Sequence, residues 1–228
     1  MQNPPDPAHL PPAGNASFRK ARFKVALEEI DQILSQKPIC RIIDVGGTVD
    51  YWDMLSESLG DRKIQVDIVN LHPFETRNPK YRSLVGNACD LSPFKGEGYD
   101  LAHSNSVIEH VGDWVNMQAM ADGISRIAPR YFVQVPYFWF PLEPHWRVPF
   151  LHWFADPIRA KFIRAFGFGS PPGQTVHVAM KRAQDARILD KDQVRALFPD
   201  GRIVEERIAG VLTKSLMVVR KAAVALAP

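Results

Sequence analysis

A β-branched run, Arg41 to Val45, closes on two successive glycines, Gly46 and Gly47. A helical pattern from Tyr51 to Leu59 follows and is stopped by Gly60. Strand, tight turn, helix is the unit from which a parallel sheet is built, because the helix carries the chain back to start the next strand in the same direction. The rest of the chain keeps that rhythm. Further strands are expected at Gln65 to Leu71, around Leu84 and Val85, from Tyr99 to about Ser104, and from Tyr131 to Val135, where Pro136 ends the run. Upstream, Phe23, Ala26, Leu27, Ile30, Ile33 and Leu34 fall at helical spacing between Asn15 and Gln36, with Asn15 or Ser17 as N-cap. Asp113 caps a second helix whose Trp114, Met117, Ala121, Ile124 and Ala128 share one face. Asp190 caps another through Phe198. Asp200 and Gly201 then turn the chain into Ile203 to Ile208 and Ser215 to Val219, two strands that close the sheet as a hairpin. The pattern predicts an α/β fold: a largely parallel sheet with helices on both faces, and a ligand crevice at the carboxyl ends of the strands.

At 228 residues and 46% apolar content, the chain buries one substantial core, so a single domain over 15–222 is expected. Residues 1–14 carry Pro4, Pro5, Pro7, Pro11 and Pro12 and almost no large apolar side chains, which predicts a disordered leader. The 28 basic and 25 acidic residues are interspersed, without the basic stripe of a nucleic-acid footprint, so no nucleic-acid partner is expected. Cys40 and Cys89 are the only cysteines, and no run of about 18 apolar residues occurs. A cytoplasmic protein without disulfides or a membrane span is the expectation.

The glycine turn is bracketed by two carboxylates, Asp44 and Asp50. A dinucleotide site would have Gly-x-Gly-x-x-Gly there and a diphosphate over the helix N-terminus, which two carboxylates repel. A ligand carrying a sulfonium and an ammonium, and no phosphate, suits the turn by charge complementarity.

Three further segments follow in order: Val69, Asn70, Leu71; then Gly86, Asn87, Ala88, Cys89, Asp90, Leu91; then Tyr99 to Val111, which includes Ser104, Asn105, Ser106, Val107, Ile108, Glu109 and His110. With the glycine turn, they resemble the class I, Rossmann-like, S-adenosylmethionine-dependent methyltransferases over roughly residues 40–136. The resemblance implies a three-layer, seven-stranded, mostly parallel sheet with a C-terminal antiparallel strand, and S-adenosylmethionine as cofactor. It implies that Asp44, Gly46 and Gly47 hold the methionine end, Asn70 faces the ribose hydroxyls, Asn87 and the Ala88 amide meet the adenine, and Ser104 and Asn105 lie beside the methyl group. The sequence departs from the family where Asn70 and Asn87 stand at positions usually acidic, and where Thr48 and Asp50 replace glycines. Glu109 and His110 are expected to form a capped helix turn packed under the sheet edge, in preference to a catalytic role.

From Pro136 to Phe168 the composition changes. Tyr137, Phe138, Trp139, Phe140, Trp146, Phe150, Trp153, Phe154, Phe166 and Phe168 crowd a segment that also carries Glu143, His145 and His152. The resemblance implies that segment 136–170, after the fifth strand, builds the acceptor pocket, where aromatic walls would give the dry, aligned site that methyl transfer depends on. His145 and His152, then Glu143, are the candidate bases for a hydroxyl acceptor. No cysteine or regular His/carboxylate spacing completes a metal site, so none is expected. The leading expectation is methyl transfer to an oxygen of a small metabolite or glycan. The alternatives are a non-catalytic binding or assembly module on the same sheet and, less favoured, a nicotinamide oxidoreductase. The aromatic segment also admits a second subunit, as in a homodimer.

Overall fold

The computed structural model describes residues 16–168 and 171–221. The leader 1–14, Asn15 as N-cap, and the last two residues of segment 136–170 lie outside the described residues. The elements in order are α1 (Ala16–Leu34), β1 (Cys40–Val45), α2 (Val49–Met54), α3 (Ser56–Leu59), β2 (Ile64–Asn70), β3 (Tyr81–Val85), β4 (Leu101–Asn105), α4 (Trp114–Ile127), β5 (Arg130–Pro136), α5 (Asp156–Phe166), α6 (Val176–Ala183), α7 (Lys191–Leu197), β6 (Arg202–Ile208) and β7 (Leu212–Arg220).

The strands form one seven-stranded sheet in the order β3-β2-β1-β4-β5-β7-β6. Pairing is parallel from β3 across to β5, and β7 runs antiparallel to both β5 and β6. This is the expected α/β sheet with its closing antiparallel strand. The chain reverses its direction of winding between β1 and β4, so the loops after those neighbouring strands diverge and leave a crevice at their carboxyl ends.

Side chains alternate across each strand and feed two cores. On one face Phe23, Ala26, Ile30 and Ile33 of α1 pack with Trp52, Ile42, Ile68, Leu101 and Phe132. On the other, Met117, Met120, Ala121 and Ile124 of α4 pack with Ile43, Val45, Ala102, Val133 and Leu216. Every residue of β5 is buried, as a strand covered on both faces must be. A satellite cluster joins α5 and α6 through Ala160, Ile163, Ala179 and Ala183.

Some local expectations are corrected. The helix expected over Tyr51 to Leu59 begins at Val49, where the Thr48 hydroxyl accepts from the Tyr51 amide, and it breaks at Leu55 into α2 and α3. The break follows from a tightened last turn, the Leu55 amide donating three residues back to Trp52 at 3.1 Å. Trp114 does not share the buried face of α4: it occupies the first turn and is 40% exposed. Asp113 caps that helix as expected, accepting from the Asn116 amide, and Asp190 forms a reciprocal capping box with Gln193. Ser17 lies inside α1 rather than capping it.

Candidate functional site

The turn after β1 is built by its glycines. Gly46 has φ +78°, and a Cβ there would meet the Val107 side chain at 2.4 Å; a Cβ on Gly47 would strike the Asp44 carboxylate at 1.6 Å. Both positions therefore require glycine for the protein's own packing, the first also for its left-handed backbone.

Asp44 does not open towards solvent. Its Oδ1 accepts from His103 Nδ1 at 2.7 Å and its Oδ2 from Trp52 Nε1 at 2.7 Å, with Asp44 and His103 each 1% exposed. The Tyr51 hydroxyl lies 3.3 Å from His103 Nε2 and completes a buried polar chain. A carboxylate buried this deeply persists because both oxygens are satisfied. The Ser104 hydroxyl is likewise buried and donates to the Val45 carbonyl at 3.0 Å, tying β4 to β1. Asn70 donates to the Gly47 carbonyl at 3.0 Å and accepts from the Leu71 amide at 2.7 Å. Exposed Asn87 accepts from the Cys89 amide at 2.9 Å. Asp67 points to the opposite side of β2 from Asn70, where Arg82 and the Tyr99 hydroxyl hold it.

The crevice rim has a marked charge character. The segments directly after the carboxyl ends of β1 to β4, residues 46–50, 71–76, 86–92 and 106–113, contain no lysine or arginine, whereas exposed Asp50, Glu75, Asp90 and Asp113 lie in them; Arg77, Lys80 and Lys95 come further along the loops after β2 and β3. That rim disfavours phosphates and favours cations. Ser106, at its inner edge, holds φ 56°, pinned by its hydroxyl on Gln134 Oε1 at 2.7 Å and its amide on the Gln134 carbonyl. Strained backbone of this kind persists where surrounding structure fixes it.

No family model matches the chain, and no curated protein matches it. Solved structures do. A CurJ carbon methyltransferase aligns at a TM-score of 0.56 with 10% identity, over 90% of this chain and 54% of that one. LepI in complex with S-adenosylmethionine aligns at 0.51 with 10% identity, over 96% and 49%. The fold is that of the class I methyltransferases. An O-methyltransferase family protein from Burkholderia thailandensis also aligns, at 0.47 with 12% identity, over 91% of this chain and 60% of that one. The chain thus spans between 49% and 60% of the length of these structures. The four segments just described occupy the carboxyl edge of the sheet.

Parallel β4 and β5 send their following loops to the same edge, and those loops meet. Glu143 is buried, with Oε1 accepting from His145 Nδ1 at 2.7 Å and Oε2 accepting from the backbone amides of His145 and Trp146. Both Glu143 oxygens accept hydrogen bonds, and the one at Oε1 fixes the His145 ring. Burial opposes charge on each partner, yet their mutual hydrogen bond and attraction win: the Glu143 pKa falls and the His145 pKa rises. His145 Nε2 stands 3.2 Å from His110 Nε2. Beside them Glu109, within the helix turn Ile108–His110, is 1% exposed, neither of its carboxylate oxygens has a hydrogen-bond partner, and burial raises its pKa.

His152 sits apart from that cluster. Its Nε2 donates to the Phe138 carbonyl at 2.7 Å, its Nδ1 is buried without a partner, and burial lowers its pKa. The aromatic segment is not uniformly core. Trp139 is 57% exposed and Phe166 63%, and the rings run in two chains, Trp139–Trp153–Phe150 and Phe154–Phe162–Phe166–Phe168. Among the described residues, no helix is long and apolar enough to cross a membrane.

Proposed function

We propose that the chain transfers a methyl group from S-adenosylmethionine to an oxygen of a small metabolite or glycan. The observation that carries this reading is the crevice at the β1/β4 divergence, where the segments directly after β1 to β4 hold exposed carboxylates and no lysine or arginine. Bound there, S-adenosylmethionine supplies a methyl group activated by a positively charged sulfur.

In this reading the backbone at Gly46 and Gly47 lines the methionine end. Asp44 acts through its negative charge and by fixing the turn, since its oxygens are taken by Trp52 and His103. Asn70 faces the ribose and Asn87 with the Ala88 amide the adenine; each carbonyl oxygen has a second lone pair beyond the one its neighbouring amide uses. Asn105, half-buried at the end of β4, lines the methyl side, and buried Ser104 holds that strand in place.

The exposed rings of the 136–170 segment, Trp139 and Trp153 foremost, offer flat apolar faces to a sugar or aromatic acceptor. His145, aimed by Glu143, is the acceptor-activating group in preference to His152, whose Nε2 is committed to Phe138. The test is release of S-adenosylhomocysteine across a panel of hydroxylated aromatics and oligosaccharides. An active acceptor supports the reading, and His145→Ala then lowers kcat more than cofactor affinity. Equal turnover in His145→Ala and wild type removes His145 from the mechanism.

The internal use of the Asn70 and Asn87 amides favours a second reading, a non-catalytic module that keeps the sheet for binding or assembly. It predicts that neither S-adenosylmethionine nor S-adenosylhomocysteine binds.

A further inference from the structure

Two histidines in this protein point the same kind of atom at each other. His110 Nδ1 lies 3.1 Å from the Asp185 carbonyl, which can only accept, so that nitrogen carries the hydrogen. His145 Nδ1 lies 2.7 Å from a Glu143 carboxylate oxygen and donates to it. Each neutral ring then presents a lone pair at Nε2, and the two Nε2 atoms face one another across 3.2 Å with rings nearly perpendicular at 83°. Two facing lone pairs repel unless a proton on one ring or a metal cation lies between them, and the unpartnered carboxylate beside them favours the cation. Next to them Glu109 offers a carboxylate that is 1% exposed and lacks a hydrogen-bond partner at either oxygen. One ligand atom from each of the three residues falls within 4.8 Å of the others.

We propose that Glu109, His110 and His145 bind a divalent first-row transition ion, with zinc the best match. Two imidazoles and one carboxylate form the three-ligand set of an open zinc site, leaving a fourth position for a water or hydroxyl oxygen. Nitrogens at about 2.0–2.1 Å from one tetrahedral ion stand about 3.3 Å apart, close to the observed separation. The ion would satisfy the Glu109 carboxylate and both lone pairs together. Glu143 and the Asp185 carbonyl then serve as the outer partners that fix each ring's tautomer and aim. Sequence spacing hides the site because its ligands come from the loops after two different strands.

The site stands on its own geometry. Only its use, with His145 activating an acceptor oxygen through the bound ion and not as a free base, rests on the methyl-transfer reading, and metal titration tests the first without the second. The full chain, stripped with EDTA and dialysed, is titrated with zinc chloride by calorimetry, and in parallel with cobalt(II) chloride followed by visible absorption. Saturable one-to-one zinc binding at micromolar Kd or tighter is expected, with a cobalt d–d band. His110→Ala and His145→Ala each weaken binding at least 100-fold, Glu143→Gln weakens it about 10- to 100-fold, and the exposed-surface control His177→Ala leaves it unchanged. Circular dichroism confirms folding. If His145→Ala fails to fold, His110→Ala, at an exposed ring, decides alone. No binding by the wild-type protein, or equal affinity in His110→Ala and wild type, overturns the proposal.

Discussion

Asp44 Oδ1 and His103 Nδ1 stand 2.7 Å apart on adjacent parallel strands, directly paired in register and sealed from solvent. The same carboxylate receives the Trp52 indole, and His103 stacks on Phe132 with centroids 5.3 Å apart. The end of β1, the helix after the glycine turn and the neighbouring strand are thus joined at one acidic group. Asp44→Ala leaves two buried donors without an acceptor and is expected to cost about 3–5 kcal/mol. Asp44→Asn, which keeps one acceptor oxygen, costs less. Urea unfolding of both variants checks this, and an Asp44→Ala midpoint equal to wild type contradicts it.

How much of this was legible in the sequence depends on the range of the interaction. The strands after β1, the caps at Asp113 and Asp190 and the closing hairpin are written in local alternation, turn residues and capping side chains, so the order of elements and the α/β class could be read from them, whereas the strand order of the sheet is set by long-range pairing. The break at Leu55 was not legible, because the periodicity of Tyr51 to Leu59 is satisfied by one helix or two. Helices α5 and α6 escaped notice because their apolar stripes are short and lie among aromatics that obscure the period. At the site, the glycine turn was legible, but the inward orientation of Asp44 was not: its partner His103 lies on another strand. His103 carries a usable signal, since it alternates in β4 with the buried Ala102 and Ser104 and so must face the α1 side. Glu109, His110 and His145 could have been joined by noting that β4 and β5 are parallel neighbours, whose following loops emerge at one edge.

Glu205 clamps the closing hairpin to α7. Its carboxylate bonds the Lys191 ammonium at 2.5 Å, the Thr213 hydroxyl at 2.6 Å and the Arg207 guanidinium at 3.1 Å. The Lys191 and Thr213 hydrogen bonds lower its pKa from 4.5 to about 2. A depressed carboxylate stabilises the fold fully above its unfolded pKa, and that contribution is lost as pH falls towards the folded value. The wild type should therefore lose more stability than Glu205→Gln between about pH 4.5 and 2, measured by thermal unfolding at stepped pH. The effect is modest because the pair is partly solvated. Parallel pH profiles for the two proteins contradict the assignment.

Both cysteines are free, and they differ in environment. Burial beneath the sheet pushes the Cys40 thiol up to about 12, with Asp100 adding to the shift. Cys89, half-buried in the loop after β3, is raised less. Since the thiolate is the reactive form, a disulfide reagent at pH 8 should label Cys89 in the folded protein and Cys40 only after denaturation. Mass spectrometry of the labelled peptides reads this directly. Rapid labelling of Cys40 in the native state contradicts the burial described for β1.

The claim that the carboxylate-rimmed crevice at the β1/β4 divergence holds S-adenosylmethionine is tested most directly by calorimetric titration of the purified protein with S-adenosylmethionine and, separately, with S-adenosylhomocysteine. Saturable one-to-one binding of both, abolished in Gly46→Val, is the predicted result. No binding of either at millimolar ligand by the folded wild-type protein would contradict it and favour the non-catalytic reading.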